Sequence, residues 1–227
     1  MKETDRVPPI PLLHDFQAIV HHWRVATGVD SVETASEIVQ KLGGETGELR
    51  EALLMHSPLD TAAEAADVII LSTHALTAAS VALTDALSNG RRIATFAEVE
   101  EEVLIQMATG ELASTPGANF ERILEEGTRL EQEIAYGHLG SVGIRGAHII
   151  YSAAGIIRQQ GLPLGTVLAA KHLRNEIKYP RVQARELQAG GLSVPESFEF
   201  LKQSWDKDRD LGFLVHALTQ LPTSPKR

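Results

Sequence analysis

Apolar residues in this 227-residue chain return every three or four positions along almost its whole length, a spacing that commits the fold to amphipathic helices. Strand-like alternation is scarce. Aromatic residues make up only 5% of the sequence, too few for the cross-strand pairs on which most sheets rely. The expected class is all-α. With 43% hydrophobic residues, a chain of this length can bury a sizeable core without staples.

Breakers and caps divide the pattern. The first helix is expected over about Leu12 to Ala26, behind Pro8, Pro9 and Pro11 and ahead of Gly28. A second should begin near Ser31 and reach about Met55, and a third should start at an Asp60 or Thr61 cap and reach about Ser80. Asn89-Gly90 closes a further short helix. Helical spacing resumes over about Thr95 to Met107, Asn119 to Ala135, Ala147 to Gln160 and Leu164 to Tyr179, the last stopped by Pro180. The glycine-rich stretch from Gly137 to Gly146 reads as a loop. Pro195 to Leu221 reads as one or two short helices before a Pro/Ser/Lys tail.

Charge and composition narrow the function. The chain has 21 basic and 30 acidic residues, a formal net charge of −9, and no Lys/Arg cluster, so a nucleic-acid surface is not expected. It lacks cysteine, which removes disulfides and thiolate metal sites and suits a reducing compartment. Neither a signal-peptide core nor a bilayer-length apolar run stands out; Ser72, Thr73 and His74 interrupt the longest one. A cytoplasmic location, or a host cytoplasm for a viral protein, is expected.

Two pairs of acids at i, i+3 spacing carry the chemistry: Glu45 with Glu48, and Glu64 with Asp67. Glu45 falls in the stripe of Leu42, Leu49 and Ala52, and Asp67 in that of Ala63, Ile70 and His74, so these acids point partly inward. Carboxylates gathered in a half-apolar groove repel one another and lose hydration, at several kcal/mol per ion, unless a cation compensates. An oxygen-only set favours Mg²⁺, or Mn²⁺ as a substitute, over Zn²⁺. Later in the chain, Lys171, Asn175 and Lys178 follow at i, i+4 and i+7, a single helical face of donors suited to phosphate oxygens.

Leu42-Gly-Gly-Glu-Thr-Gly-Glu-Leu-Arg-Glu-Ala followed by Glu64-Ala-Ala-Asp67-Val-Ile-Ile resembles the E-x-x-E, spacer, E-x-x-D signature of the MazG-like all-α nucleotide pyrophosphohydrolases. That superfamily includes the dimeric dUTPases and phosphoribosyl-ATP pyrophosphohydrolase. The stretch from Gly161 to Pro180 resembles the family's K-x-x-x-N-x-x-K helix, which closes the site. The resemblance covers the helices from about 12 to 80 and 119 to 180. It implies a helical bundle in which Glu45, Glu48, Glu64 and Asp67 hold Mg²⁺ against a triphosphate while Lys171, Asn175 and Lys178 bind its phosphates. The reaction implied is hydrolysis of a (d)NTP to (d)NMP and pyrophosphate, a generic or purine dNTP being favoured and a dUTPase-like or other nucleotide-specific diphosphatase being the alternative. A homo-oligomer with a role in dNTP pools is implied too.

In single-copy relatives the K/N helix directly follows the E-x-x-D helix, but here about a hundred residues intervene. A weak internal repeat accounts for this. At an offset of roughly eighty, Asp67-Val-Ile-Ile-Leu-Ser lies over Ala147-His-Ile-Ile-Tyr-Ser, and Leu42 to Leu49 lies near Ile123 to Leu130. In that second copy the E-x-x-D helix reads Ile144-Arg-Gly-Ala147, and Arg129 stands opposite Glu48. Two degenerate helical halves packed as a pseudo-dimer are therefore expected: 1–94 with the acids, 95–190 with the phosphate-binding helix, and 191–227 as an extension; the alternative, a single bundle with a long insertion, predicts the same site residues.

Other residues carry weaker signals. Trp23 is a base-stacking candidate, although it and Phe16 also suit a core. His14-Asp15 suggests metal phosphohydrolase chemistry but has no second His-Asp set, and His21 and His22 add none. His74 suits a satisfied core histidine, Glu51 an outer ligand or a solvated acid, and Glu98 to Glu102 a solvated face. A diiron bundle wants Glu-x-x-His pairs, and the chain has none. A non-catalytic helical protein would gain nothing from paired inward acids.

Overall fold

The computed structural model describes residues 12–31, 33–88, 92–203 and 205, and these form an all-α fold. Among them no strand occurs, only an isolated antiparallel bridge between Leu12 and Thr95. No helix of the described residues is long and apolar enough to cross a membrane. Pro8, Pro9, Pro11, Asn89-Gly90 and the chain beyond Trp205 fall outside the described residues.

Helices α2 (Ala35–Leu54) and α3 (Pro58–Ala78) form one hairpin, and α6 (Pro116–Tyr136) and α7 (Leu139–Gln159) form another. The hairpins pack face to face, α3 on α7 at the centre and α2 on α6 beside them, burying Leu49, Ile69, Leu76, Leu130, Ile149 and Ile156 between them. Around this bundle lie α1 (Leu13–Thr27), the short α4 (Leu83–Leu87), α5 (Phe96–Thr109), α8 (Leu164–Lys178), α9 (Arg181–Ala189) and α10 (Val194–Gln203).

The two hairpins share a spacing. Pro116 lies 81 positions after Ala35, Leu139 lies 81 after Pro58, and Leu164 lies 81 after Leu83. At that spacing Glu45 corresponds to Glu126, Glu48 to Arg129, Glu64 to Arg145 and Asp67 to His148. The alignment expected from the sequence sets Asp67 one residue earlier, over Ala147.

Local chemistry explains the other differences. The second helix starts at Ala35, not Ser31, because Thr34 and Glu37 form a reciprocal capping box. The third starts earlier than expected because the Ser57 hydroxyl accepts from the Asp60 amide and Pro58 takes the first helical position. The stretch from Leu139 to Gly146 is helical, not a loop. Gly146 serves packing: a Cβ there would stand 2.7 Å from Leu76 Cδ2, so α7 approaches α3 closely at that point. Phe16 is buried core, edge-on to Phe96 with ring centroids 5.2 Å apart. The run Glu98 to Glu102 is not a simple solvated face. Glu98 closes the capping box with Thr95, Glu100 accepts from the Leu164 amide, and the buried Glu102 carboxylate accepts from Gln106.

Helix α9 is not apparent from the sequence pattern, and its docking on α1 carries α10 into place. Arg185 donates to the Ala26 and Val25 carbonyls, 2.8 Å each, and Gln188 donates to the Thr27 carbonyl at 2.8 Å. These give the Ala26 and Thr27 carbonyls partners at the C-terminal end of α1 and add to the Gly28 amide that Val25 already accepts. Gly28 succeeds them with φ 85°, the left-handed conformation that ends a helix most readily.

Candidate functional site

One cleft of about 1170 Å³ gathers most of the residues singled out in the sequence. Glu45, Glu48, Glu64 and Asp67 line it from α2 and α3, and Asn175 and Lys178 line it from α8. An oxygen from each of Glu45, Glu48 and Glu64 lies within 4.8 Å of the others. Burial, with Asp67 and Glu48 close by, pushes the Glu45 carboxyl up to about 8. Glu64 is raised too, first by burial, with Lys171 opposing it. Its Oε2 is buried and has no hydrogen-bond partner among the described residues. Three close carboxylates, one with an orphaned oxygen, fit a hard divalent cation, which takes oxygen ligands and leaves positions open to the cleft.

Asp67 stands apart from that trio. Its Oδ2 meets Lys171 Nζ at 2.6 Å, and the same ammonium is 3.7 Å from Glu64 Oε1. Lys171 is 0% exposed and does not line the cleft. It lies beneath the acids as their internal counter-ion, whereas the helical spacing has it reach a phosphate from the same face as Asn175 and Lys178. Arg174, which the spacing argument passes over, lines the cleft with those two residues.

The far wall is aromatic. Trp23 lines the cleft and packs edge-on against Tyr179 and Phe198, with centroids 6.3 and 5.7 Å away. Tyr179 and Phe198 stack at 5.0 Å, Lys178 Nζ lies 5.3 Å from the Tyr179 ring centre, and Trp205 also lines the wall. Helix α10 of the C-terminal extension thus belongs to the cleft. His74 is part of the lining although only 5% exposed, and neither ring nitrogen has a hydrogen-bond partner among the described residues. It is not the satisfied core histidine expected from the sequence. Burial, then the Arg24 charge, holds its pKa well below the usual histidine value, so the ring is neutral near pH 7. Glu51 is exposed and off the cleft, and the exposed His14 pairs with Asp15 at 2.9 Å.

On the opposite hairpin the corresponding residues form a different cluster. Glu126 is only 4% exposed; Arg129 Nη1 and Arg145 Nη1 donate to its carboxylate at 3.1 and 3.2 Å, and His148 Nδ1 stands 3.4 Å from it without a hydrogen bond.

The raised Glu45 pKa makes stability fall with pH. Below the usual glutamate value of 4.5 both states are protonated; between there and about 8 the unfolded chain ionises this group while the folded chain resists. The cation-free protein is therefore expected to melt at progressively lower temperature from about pH 5 to 8. Glu45→Gln should flatten that slope and raise the melting temperature at pH 8. Calorimetry in chelator across that range checks it, and an equal slope in both proteins would refute it.

Fold and site together define an all-α protein in which the first helical hairpin, α1, α8 and α10 line a cleft with a carboxylate cluster, a donor-bearing helix and an aromatic wall. Comparison with protein-family models, curated proteins and solved structures finds no match to this chain.

Proposed function

We propose that this protein hydrolyses nucleoside triphosphates to the monophosphate and pyrophosphate, with Mg²⁺, replaceable by Mn²⁺, held by Glu45, Glu48 and Glu64. The observation that carries this reading is the sharing of one cleft by clustered carboxylates and the Arg174, Asn175 and Lys178 lining of α8. A triphosphate with its cation needs both. The MazG-like resemblance of the two motifs supports the same reaction.

Each group of residues has a role. When bound, the cation would polarise phosphate oxygens and supply a water of lowered pKa. Arg174, Asn175 and Lys178 donate to phosphate oxygens and offset the charge that builds up as the bond between the α-phosphorus and the bridging oxygen breaks. Water oxygen joins the α-phosphorus, and pyrophosphate departs with that bridging oxygen. Lys171 keeps Asp67 and Glu64 in place from below. The aromatic wall of Trp23, Tyr179 and Phe198 offers a surface for a flat base, and water is displaced from it. A generic or purine dNTP remains the favoured substrate.

The equal spacing of the hairpins supports a fused pair of related halves with one centre per chain, the acids from the first half and the donor helix from the second. Release of pyrophosphate from a dNTP panel, with Mg²⁺ or with chelator, tests the reaction; no release from any nucleotide overturns it. Lys178→Ala is expected to lower kcat/KM about ten- to a hundredfold, since charge-assisted contacts contribute roughly 1.5–3 kcal/mol. In the proposed homo-oligomer, mixing Glu48→Gln and Lys178→Ala chains should restore nothing. Recovery in the mixture would place the donor helix of each centre on a partner chain.

A further inference from the structure

The most telling feature outside the cleft is the cluster around Glu126. We propose that it is the charge-inverted counterpart of the acidic centre, a latent divalent-cation site in which the chain's own guanidinium groups stand where the first half recruits an ion. This rests on the proposed cation role of Glu45, Glu48 and Glu64.

Three observations converge. The first is register: one spacing of 81 residues carries all four acids onto the four members of the cluster, and the same spacing relates the starts of the helices that bear them. Glu126 retains the carboxylate of Glu45, while the other three positions have become Arg129, Arg145 and His148. The second is geometry, because those three surround the Glu126 carboxylate, the two arginines hydrogen-bonded to it at 3.1 and 3.2 Å and His148 Nδ1 standing 3.4 Å away. Neighbours along one helix meet readily at i, i+3, but Arg145 and His148 come from the facing helix of the hairpin, as Glu64 and Asp67 do in the first half.

Charge is the third. The acidic centre sets four carboxylates against the Lys171 ammonium, with Arg174 as a further cation acting on Glu64. The Glu126 cluster sets one carboxylate against two guanidinium groups, with burial favouring the neutral form of His148. One arrangement is short of positive charge and the other is not. A buried carboxylate needs a partner of opposite sign, and either a bound ion or a fixed arginine satisfies it. The carboxylate of the second hairpin is thus compensated without an ion from solution, while the cluster of the first invites one.

Exchanging the residue sets tests this directly. Mn²⁺ binding, followed by loss of the free-ion electron paramagnetic resonance signal and by calorimetry, is compared in three proteins: the natural chain, Arg129→Glu/Arg145→Glu/His148→Asp, and the reciprocal Glu48→Arg/Glu64→Arg/Asp67→His. The second-half variant is expected to bind at least one Mn²⁺ more per chain than the natural protein, and the reciprocal variant to bind none. If the second-half variant does not fold in chelator, Mn²⁺ should restore its helical circular dichroism. A folded variant with no additional ion, or an unfolded one that Mn²⁺ does not rescue, overturns the proposal while leaving the reading of the cleft intact. A natural chain that binds no Mn²⁺ removes the cation reading of the cleft itself.

Discussion

Glu48→Gln is expected to lower pyrophosphate release at least a hundredfold while leaving the melting curve almost unchanged. Glu48 is exposed on α2 and one of the three carboxylates that converge, so the amide removes a charge from the cation site without disturbing the core. A hundredfold corresponds to about 2.7 kcal/mol of barrier, within the range seen when one charge-stabilising group is removed from a preorganised site. Initial rates at saturating Mg²⁺ and scanning calorimetry on the same preparation check both halves of the expectation. Activity within tenfold of the natural protein would show that this carboxylate does not hold the ion.

Asp67→Asn should behave differently. It removes the closest counter-ion of Lys171, leaving a fully buried ammonium with only the 3.7 Å contact to Glu64. Breaking one side of a buried pair costs about 3–5 kcal/mol, whereas replacing both sides by neutral groups is often tolerated. For a chain of this size that is a drop of roughly 6–20 °C in melting temperature. The double variant Asp67→Asn/Lys171→Met should regain a large part of it, and the double-mutant cycle measures the coupling. Equal melting of the single variant and the natural protein would mean that the ammonium finds another partner. Lost activity in Asp67→Asn alone would mix chemistry with stability, which makes Glu48 the cleaner probe of the cation.

The range of the forces involved decides which features are legible in the sequence and which are hidden. Paired acids at i, i+3 are legible because helical periodicity is local, and Asn175 and Lys178 line the cleft for the same reason. The depth of Lys171 is not, since it depends on α8 settling against α3 far away in sequence. Gly140, Gly143 and Gly146 read as breakers because glycine weakens isolated helices; close packing on Leu76 outweighs that propensity at Gly146. His74 shares a stripe with buried residues, and one-dimensional patterning cannot distinguish a core position from one beneath a cleft. Helix α9 escapes notice because a short, mostly exposed helix with few apolar residues buries little of itself, and tertiary hydrogen bonds to α1 hold it.

The docking of α9 on the end of α1 makes the aromatic wall a cantilever. Phe198 and Trp205 hang from a support whose far end is clamped to the carbonyls of Val25, Ala26 and Thr27. The fulcrum is Gly28, where a methyl group would come within 3.0 Å of Gln188 Oε1 and 3.1 Å of Arg185 Nη1. A side chain at Gly28 would therefore press on the α9 clamp, and a substitution there is expected to displace the aromatic wall while every lining side chain stays the same.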